Sequence, residues 1–171
     1  TTATRCFMPV LDVLKEAILG ERRAAAFYDM AARNTHDTAV GGIFAMMAEE
    51  EKGHARLLAK QYAAVARDGR FEALADGPAP AAVDDGIVTH AVRNGILAAG
   101  FEAAAIDAAM ALEARAVRLY GERAEAAVDE NEKKIYSWLA AWERGHLQLL
   151  ARLDEDLRES VWQDSNFWPM D

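Results

Sequence analysis

One cysteine, Cys6, is all that the 171 residues contain. That excludes an intrachain disulfide framework and any cysteine-built zinc or iron–sulfur site. It fits a reducing compartment, and a cytoplasmic location is expected. Prolines number four and glycines eleven, too few for a collagenous or linker-dominated chain. Val and Ile are sparse, which gives β structure little support. No apolar run reaches the ~18 residues of a membrane span. Thr1 to Leu19 carries Asp12, Lys15 and Glu16, which does not make a signal-peptide core. The opening Thr1 leaves open whether a leader was removed. Positive charge is also short: 19 Lys and Arg stand against 28 Asp and Glu, for a net charge of −9 and a pI near 4.9. Such a chain has no electrostatic pull toward a phosphate backbone. Neither nucleic acid nor membrane is expected as a partner.

What the sequence has in excess is alanine, about a fifth of all residues. Ala is the strongest helix former, so the expected class is all-α, in one domain. Four amphipathic stretches carry apolar residues at helical spacing. The first runs from about Val10 to Arg33, and the second from about Thr38 to Ala66, with Gly41 and Gly42 weakening its first turn. The third runs from about Glu102 to Val128 and the fourth from about Glu130 to Arg158. Between the first two lies the turn cluster Asn34-Thr35-His36-Asp37, where Asp37 or Thr38 can cap the second helix. Asp129 followed by Glu132 makes a similar start for the fourth. Asp68-Gly69-Arg70 and Gly77-Pro78-Ala79-Pro80 break the helical pattern. The segment after them reads as a crossover, with a helical turn expected near Phe71–Leu74 and a short helix over Ile87–Ala99. The organisation expected is hairpin 1 over about 10–67, crossover over about 68–101, hairpin 2 over about 102–158, and a non-helical tail over 159–171. Trp162, Phe167, Trp168 and Pro169 in that tail are expected to dock on the body or on a second subunit, and a homodimer is expected.

The chain repeats itself at a shift of 92 residues. Glu21 then falls on Glu113, Arg23 on Arg115, Tyr28 on Tyr120, Asp37 on Asp129, Glu51 on Glu143 and His54 on His146. About a third of the positions from Ala17 to Ala59 are identical, without a gap. Alanine richness explains chance Ala matches but not matched Glu, Tyr and His. Two homologous helical hairpins are therefore expected, forming a four-helix bundle.

The repeat concentrates one kind of chemistry. Glu21 precedes His36 by 15 residues and Glu51 follows it by 15. Antiparallel helices rise equally from their turn, so the two carboxylates stand at one height. Glu113 and Glu143 are equidistant from Val128 in the same way. Glu51 with His54, and Glu143 with His146, are i, i+3 pairs on one helix face. Face-to-face packing of the hairpins would bring together Glu21, Glu51, His54, Glu113, Glu143 and His146. Four buried carboxylates without cations would cost several kcal/mol each, or be forced to protonate. Two ferrous ions balance their charge. Oxygen-rich sets with one imidazole each suit iron or manganese, and zinc is a possible substitute. Tyr28 and Tyr120 lie seven residues after Glu21 and Glu113, about two turns on, and could donate to a ligand carboxylate of the neighbouring helix.

The pattern Glu21…Glu51-x-x-His54 then Glu113…Glu143-x-x-His146 resembles the ferritin-like di-iron carboxylate superfamily, and within it the rubrerythrin-like branch. The resemblance spans about Val10 to Leu153. It implies a ferritin-like bundle holding two irons per chain, with Glu51 and Glu143 bridging, Glu21 and Glu113 terminal, and one His per iron. It further implies reaction with dioxygen or hydrogen peroxide, in an oxidoreductase of peroxidase or ferroxidase type. Two departures stand out. Rubrerythrins typically carry a further Glu three residues after the third-helix ligand, where this chain has Ala116. They also carry a four-cysteine redox domain that one cysteine cannot build, so an external electron donor is implied. The symmetric six-ligand set with paired tyrosines resembles the bacterioferritin ferroxidase centre more closely.

Other residues read as bystanders. Glu49 and Glu50 flank Glu51, but neither has a His three residues on, and the repeat aligns them with Ala141 and Trp142; both are expected on the surface. Glu102 is expected in solvent, as are His36 and His90. Met46, Met47, Trp138 and Trp142 are expected to fill core or an interface rather than to bind haem. Two rival functions remain: non-enzymatic iron binding or storage, which for storage needs a closed shell of subunits, and a structural bundle acting through its aromatic tail.

Overall fold

The structure is a computed structural model, described here for residues 9–74 and 99–163. Cys6, His90, residues 87–98 of the expected helix over Ile87–Ala99 and the tail residues Phe167, Trp168 and Pro169 lie outside those residues. Four helices make up the described chain: α1 Val10–Asn34, α2 Thr38–Asp68, α3 Ala99–Ala126 and α4 Glu130–Gln163. The first three are rich in Ala, and all four are free of internal proline.

Local chemistry sets the turns. Asp37 Oδ1 accepts from the N–H groups of Ala39 and Val40 at 2.8 and 2.9 Å, which starts α2. Asp129, its repeat counterpart, accepts from Asn131 and Glu132 at 2.8 and 2.9 Å and starts α4. Each cap satisfies donors that a helix start leaves orphaned, worth ~1 kcal/mol. Gly69 closes α2 at φ 70°, its N–H donating to Val65 O, a left-handed geometry that glycine adopts without strain. Gly41 serves packing rather than conformation: a Cβ there would lie 3.3 Å from the carbonyl oxygen of Ala32, so α1 and α2 approach closely where they meet.

α1 packs along α2, and α3 along α4, as two antiparallel hairpins. Two apolar clusters show how the hairpins combine. The upper one joins Tyr28, Phe44 and Met47, from the turn end of the first hairpin, to Ile106 near the start of α3 and Leu150 late in α4. The lower one joins Leu14 and Leu58, from the open end of the first hairpin, to Tyr120, Ile135 and Leu139 around the second turn. The hairpin turns thus lie at opposite ends of the bundle. α2 and α3 consequently run in the same direction, as a crossover connection requires. The all-α bundle of paired hairpins matches the expectation.

Several details differ from the sequence reading. Residues 71–74 are not helical; Phe71 is buried in the lower cluster, and its carbonyl accepts from the Asn131 amide at 3.2 Å. α3 starts at Ala99 rather than Glu102 and ends at Ala126. α4 continues to Gln163, five residues past Arg158, because residues 159–163 carry no Gly or Pro. The first part of the expected non-helical tail is therefore helix, and Trp162 on it is 71% exposed. Glu102 is not in solvent. It is 5% exposed, and its Oε1 accepts the backbone N–H of His36 at 3.0 Å, tying the start of α3 to the first turn.

Candidate metal centre

Between the two apolar clusters the bundle interior turns polar. Glu21, Glu51, His54, Glu113, Glu143 and His146 all point inward, and none is more than 4% exposed. The heights set by the two turns and the i, i+3 spacings bring all six together. They form two overlapping groups, Glu21, Glu51, His54 and Glu143, and Glu51, Glu113, Glu143 and His146. Within each group one ligand atom per residue lies within 4.8 Å of the others. Glu51 and Glu143 belong to both groups; Glu21 and Glu113 belong to one each.

The imidazoles sit at the centre with their Nδ1 atoms aimed at the carboxylates. His54 Nδ1 is 3.2 Å from Glu143, 3.3 Å from Glu51 and 3.9 Å from Glu21. His146 Nδ1 is 3.0 Å from Glu51, 3.4 Å from Glu143 and 3.7 Å from Glu113. The ring centroids are 6.1 Å apart. The tyrosines complete the symmetry crosswise: Tyr28 on α1 donates its hydroxyl to Glu113 on α3, and Tyr120 on α3 donates to Glu21 on α1. Burial, then the charge of the carboxylate each one faces, raises both phenols above their usual range and keeps them protonated as donors.

Electrostatics show the strain of this cluster. Burial pushes Glu21 well above the carboxylate range, helped by its bond to Glu51 and the charge of Glu143. Burial likewise takes Glu113 up to about 8. For Glu51, burial is outweighed by bonds from Glu21, His146 and His54, and its pKa falls. Glu143 also falls, because bonds from the two imidazoles and Glu113 overcome burial and the charge of Glu51. His54 rises to about 9 against burial, through bonds to Glu143 and Glu51, and His146 rises likewise through Glu113, Glu143 and Glu50. Protons thus do the neutralising that cations could do.

The donor set fits divalent cations on a direct structural test. Glu51 Oε1, both carboxylate oxygens of Glu143 and His146 Nδ1 are buried and crowd one another or His54 at 3.0–3.4 Å without a well-aligned hydrogen bond. Buried polar atoms are rarely left unpaired, since each costs ~1–3 kcal/mol. Of the seven such buried atoms among the described residues, these four belong to the six-residue cluster, and three sit on Glu51 and Glu143, the residues common to both groups; the others are on Glu102, Tyr136 and Trp142.

One participant was missed in the sequence. Glu50 is not a surface residue like Glu49; its side chain is 22% exposed, and it lies 2.7 Å from His146 Nε2. A carboxylate on Nε2 keeps the proton there and leaves Nδ1 free to face the centre. The repeat carried the signal. Trp142, the counterpart of Glu50, packs edge-on against His54 at 5.5 Å between centroids, with Trp138 at 5.6 Å. Position 50 faces His146 across the fold, as position 142 faces His54. The two halves therefore match in their central residues and differ in what backs each imidazole. Ala116 is half-buried against the lower cluster and adds no carboxylate. His36 lies in the exposed turn, away from the centre.

A four-helix bundle of paired hairpins around a carboxylate–imidazole cluster is the architecture of the ferritin-like di-iron proteins. The sequence profile of the rubrerythrin family matches residues 12–154, and the chain belongs to that family. No curated protein and no solved structure matches it.

Proposed function

We propose that this protein is a di-iron oxidoreductase that reacts with hydrogen peroxide or dioxygen, drawing electrons from an external donor. The observation that carries this reading is the pair of overlapping four-residue groups sharing Glu51 and Glu143, whose buried oxygens and ring nitrogen crowd together without well-aligned hydrogen bonds. Glu51 and Glu143 would bridge two irons, Glu21 with His54 would complete one, and Glu113 with His146 the other. A pair of irons so held supplies two electrons to an O–O bond.

The chain's own residues set the conditions for that chemistry. The carboxylates supply four negative charges, which two ferrous ions match in number. Tyr120 and Tyr28 hold Glu21 and Glu113 in place by hydrogen bonds from the opposite hairpin. The upper and lower clusters exclude water along the bundle axis. Trp138 and Trp142 cover the His54 ring. Protons displaced from Glu113 and His54 on cation binding leave carboxylate and imidazole lone pairs as ligands.

The test is anaerobic ferrous loading of the full chain, followed by stopped-flow mixing with oxygen or peroxide. Two irons per chain are expected, with ferric absorption developing within the mixing experiment. Glu51→Ala and Glu143→Ala should each lose most of the bound iron, because each removes a ligand from both positions. Iron below one per chain in the parent protein defeats the reading. Fast oxygen consumption with growth of a ferric core in a many-subunit shell would support storage instead.

A further inference from the structure

The centre is reached through a cleft between α1 and α3 of about 410 Å³, far larger than dioxygen or peroxide needs. Each has two heavy atoms and takes up no more than roughly two waters' worth of volume, ~60 Å³. A volume of this size falls in the ~300–1,000 Å³ range of sites for small organic molecules. Its inner end is formed by Glu21, Glu51, Glu113 and Glu143, and its walls include Ala17, Ala24, Leu112 and Leu119. Four arginines, Arg23, Arg115, Arg118 and Arg123, also line it, the first three exposed at its mouth. They outnumber Glu16 and Glu122, the acidic residues at the same mouth. That excess of positive charge stands out in a chain of net charge −9.

Arg23, Arg115 and Arg118 are not spent on structure. Among the described residues, arginine ion pairs are made by Arg67 and Arg158, and Arg152 is also engaged. None of the four cleft arginines is in one. Guanidinium groups suit carboxylate recognition through paired N–H donors, and aliphatic walls suit an apolar body.

From this the geometry points to a binding site for an organic carboxylate with an aliphatic chain, its head on the Arg23, Arg115 and Arg118 rim and its body between α1 and α3, against the metal centre. The inference rests on the di-iron reading in one respect: cations neutralise the four glutamates at the inner end, so that an anion can enter. It names a ligand class for that same centre.

Isothermal titration of the full chain, ferrous-loaded under argon, tests it with sodium octanoate as the probe. Octanoate should bind one per chain. Octylammonium and inorganic phosphate should bind at least tenfold more weakly, the first lacking the charge and the second the chain. Arg115→Ala with Arg118→Ala should weaken octanoate at least tenfold, and Ala116→Phe, which fills the cleft, should do the same. Octanoate binding to the parent protein should also weaken as salt is raised, a readout that needs no variant. Absence of octanoate binding, equal binding of octylammonium or phosphate, or insensitivity to salt and to both variants overturns the site. Iron content of the same sample separates the two failures. Two irons without octanoate binding overturns the cleft alone; iron below one per chain overturns the centre and, with it, the neutral inner end that the ligand requires.

Discussion

Glu50→Ala should unbalance the metal centre. In the structure Glu50 backs one imidazole only, at 2.7 Å from His146 Nε2. His54 is backed by Trp138 and Trp142 instead. Outer carboxylates on ligand histidines typically account for ~10–100-fold in metal affinity, through ring orientation and ligand basicity. That range is ~1.4–2.7 kcal/mol, and the 2.7 Å contact to a nearly buried ring places Glu50 toward its upper part. The loss should fall on the His146–Glu113 position. An anaerobic ferrous titration against a competing chelator should resolve the two positions in the parent protein. In Glu50→Ala one should be retained and the other weakened ~10–100-fold. Glu50→Gln keeps an acceptor without the charge and should recover about half the loss in free energy. Equal weakening of both positions would refute the assigned asymmetry. Unchanged affinities would refute any role for Glu50 beyond a surface contact.

Two further outcomes follow from the same geometry. Glu113 and His54 have folded pKa values raised to about 8 and about 9, from 4.5 and 6.5. Their contribution to metal-free stability is complete below the lower value of each pair and is lost as pH rises through the upper. Thermal melts of the metal-free chain should therefore drop by ~8–16 °C between pH 7 and 9.5, for a loss of ~4 kcal/mol. Added manganese should remove that slope, since cations replace the protons; a flat metal-free profile would contradict the buried cluster. Tyr28→Phe and Tyr120→Phe each strip a donor from a buried carboxylate, at ~1–3 kcal/mol and a melting temperature ~2–12 °C lower. Because the contacts cross, Tyr28→Phe should weaken the metal position of Glu113 and Tyr120→Phe that of Glu21; calorimetric titration showing the opposite assignment would break the crossed scheme.

Much of the fold was legible because its determinants are local or periodic. Asp37 and Asp129 announce helix starts by capping chemistry, and 171 residues with a 92-residue repeat leave room for two hairpins. Equal rise from each turn then places Glu21 level with Glu51, and Glu113 level with Glu143, without knowledge of the packing. Glu51 with His54 and Glu143 with His146 follow from helical spacing alone.

Contacts between hairpins were another matter. Glu50 and Glu49 are neighbours in a charged run, yet one meets His146 and the other is in solvent. Glu102 has the polarity of a surface residue, and only docking of α3 against the first turn buries it. The anchoring of Phe71 likewise depends on a partner distant in sequence. Periodicity along a helix tells which residues share a face. Which face meets which neighbour is decided by long-range packing, and only the tertiary structure put Glu50 behind His146, Trp142 against His54, and arginines from α1 and α3 along one cleft that ends at the carboxylates.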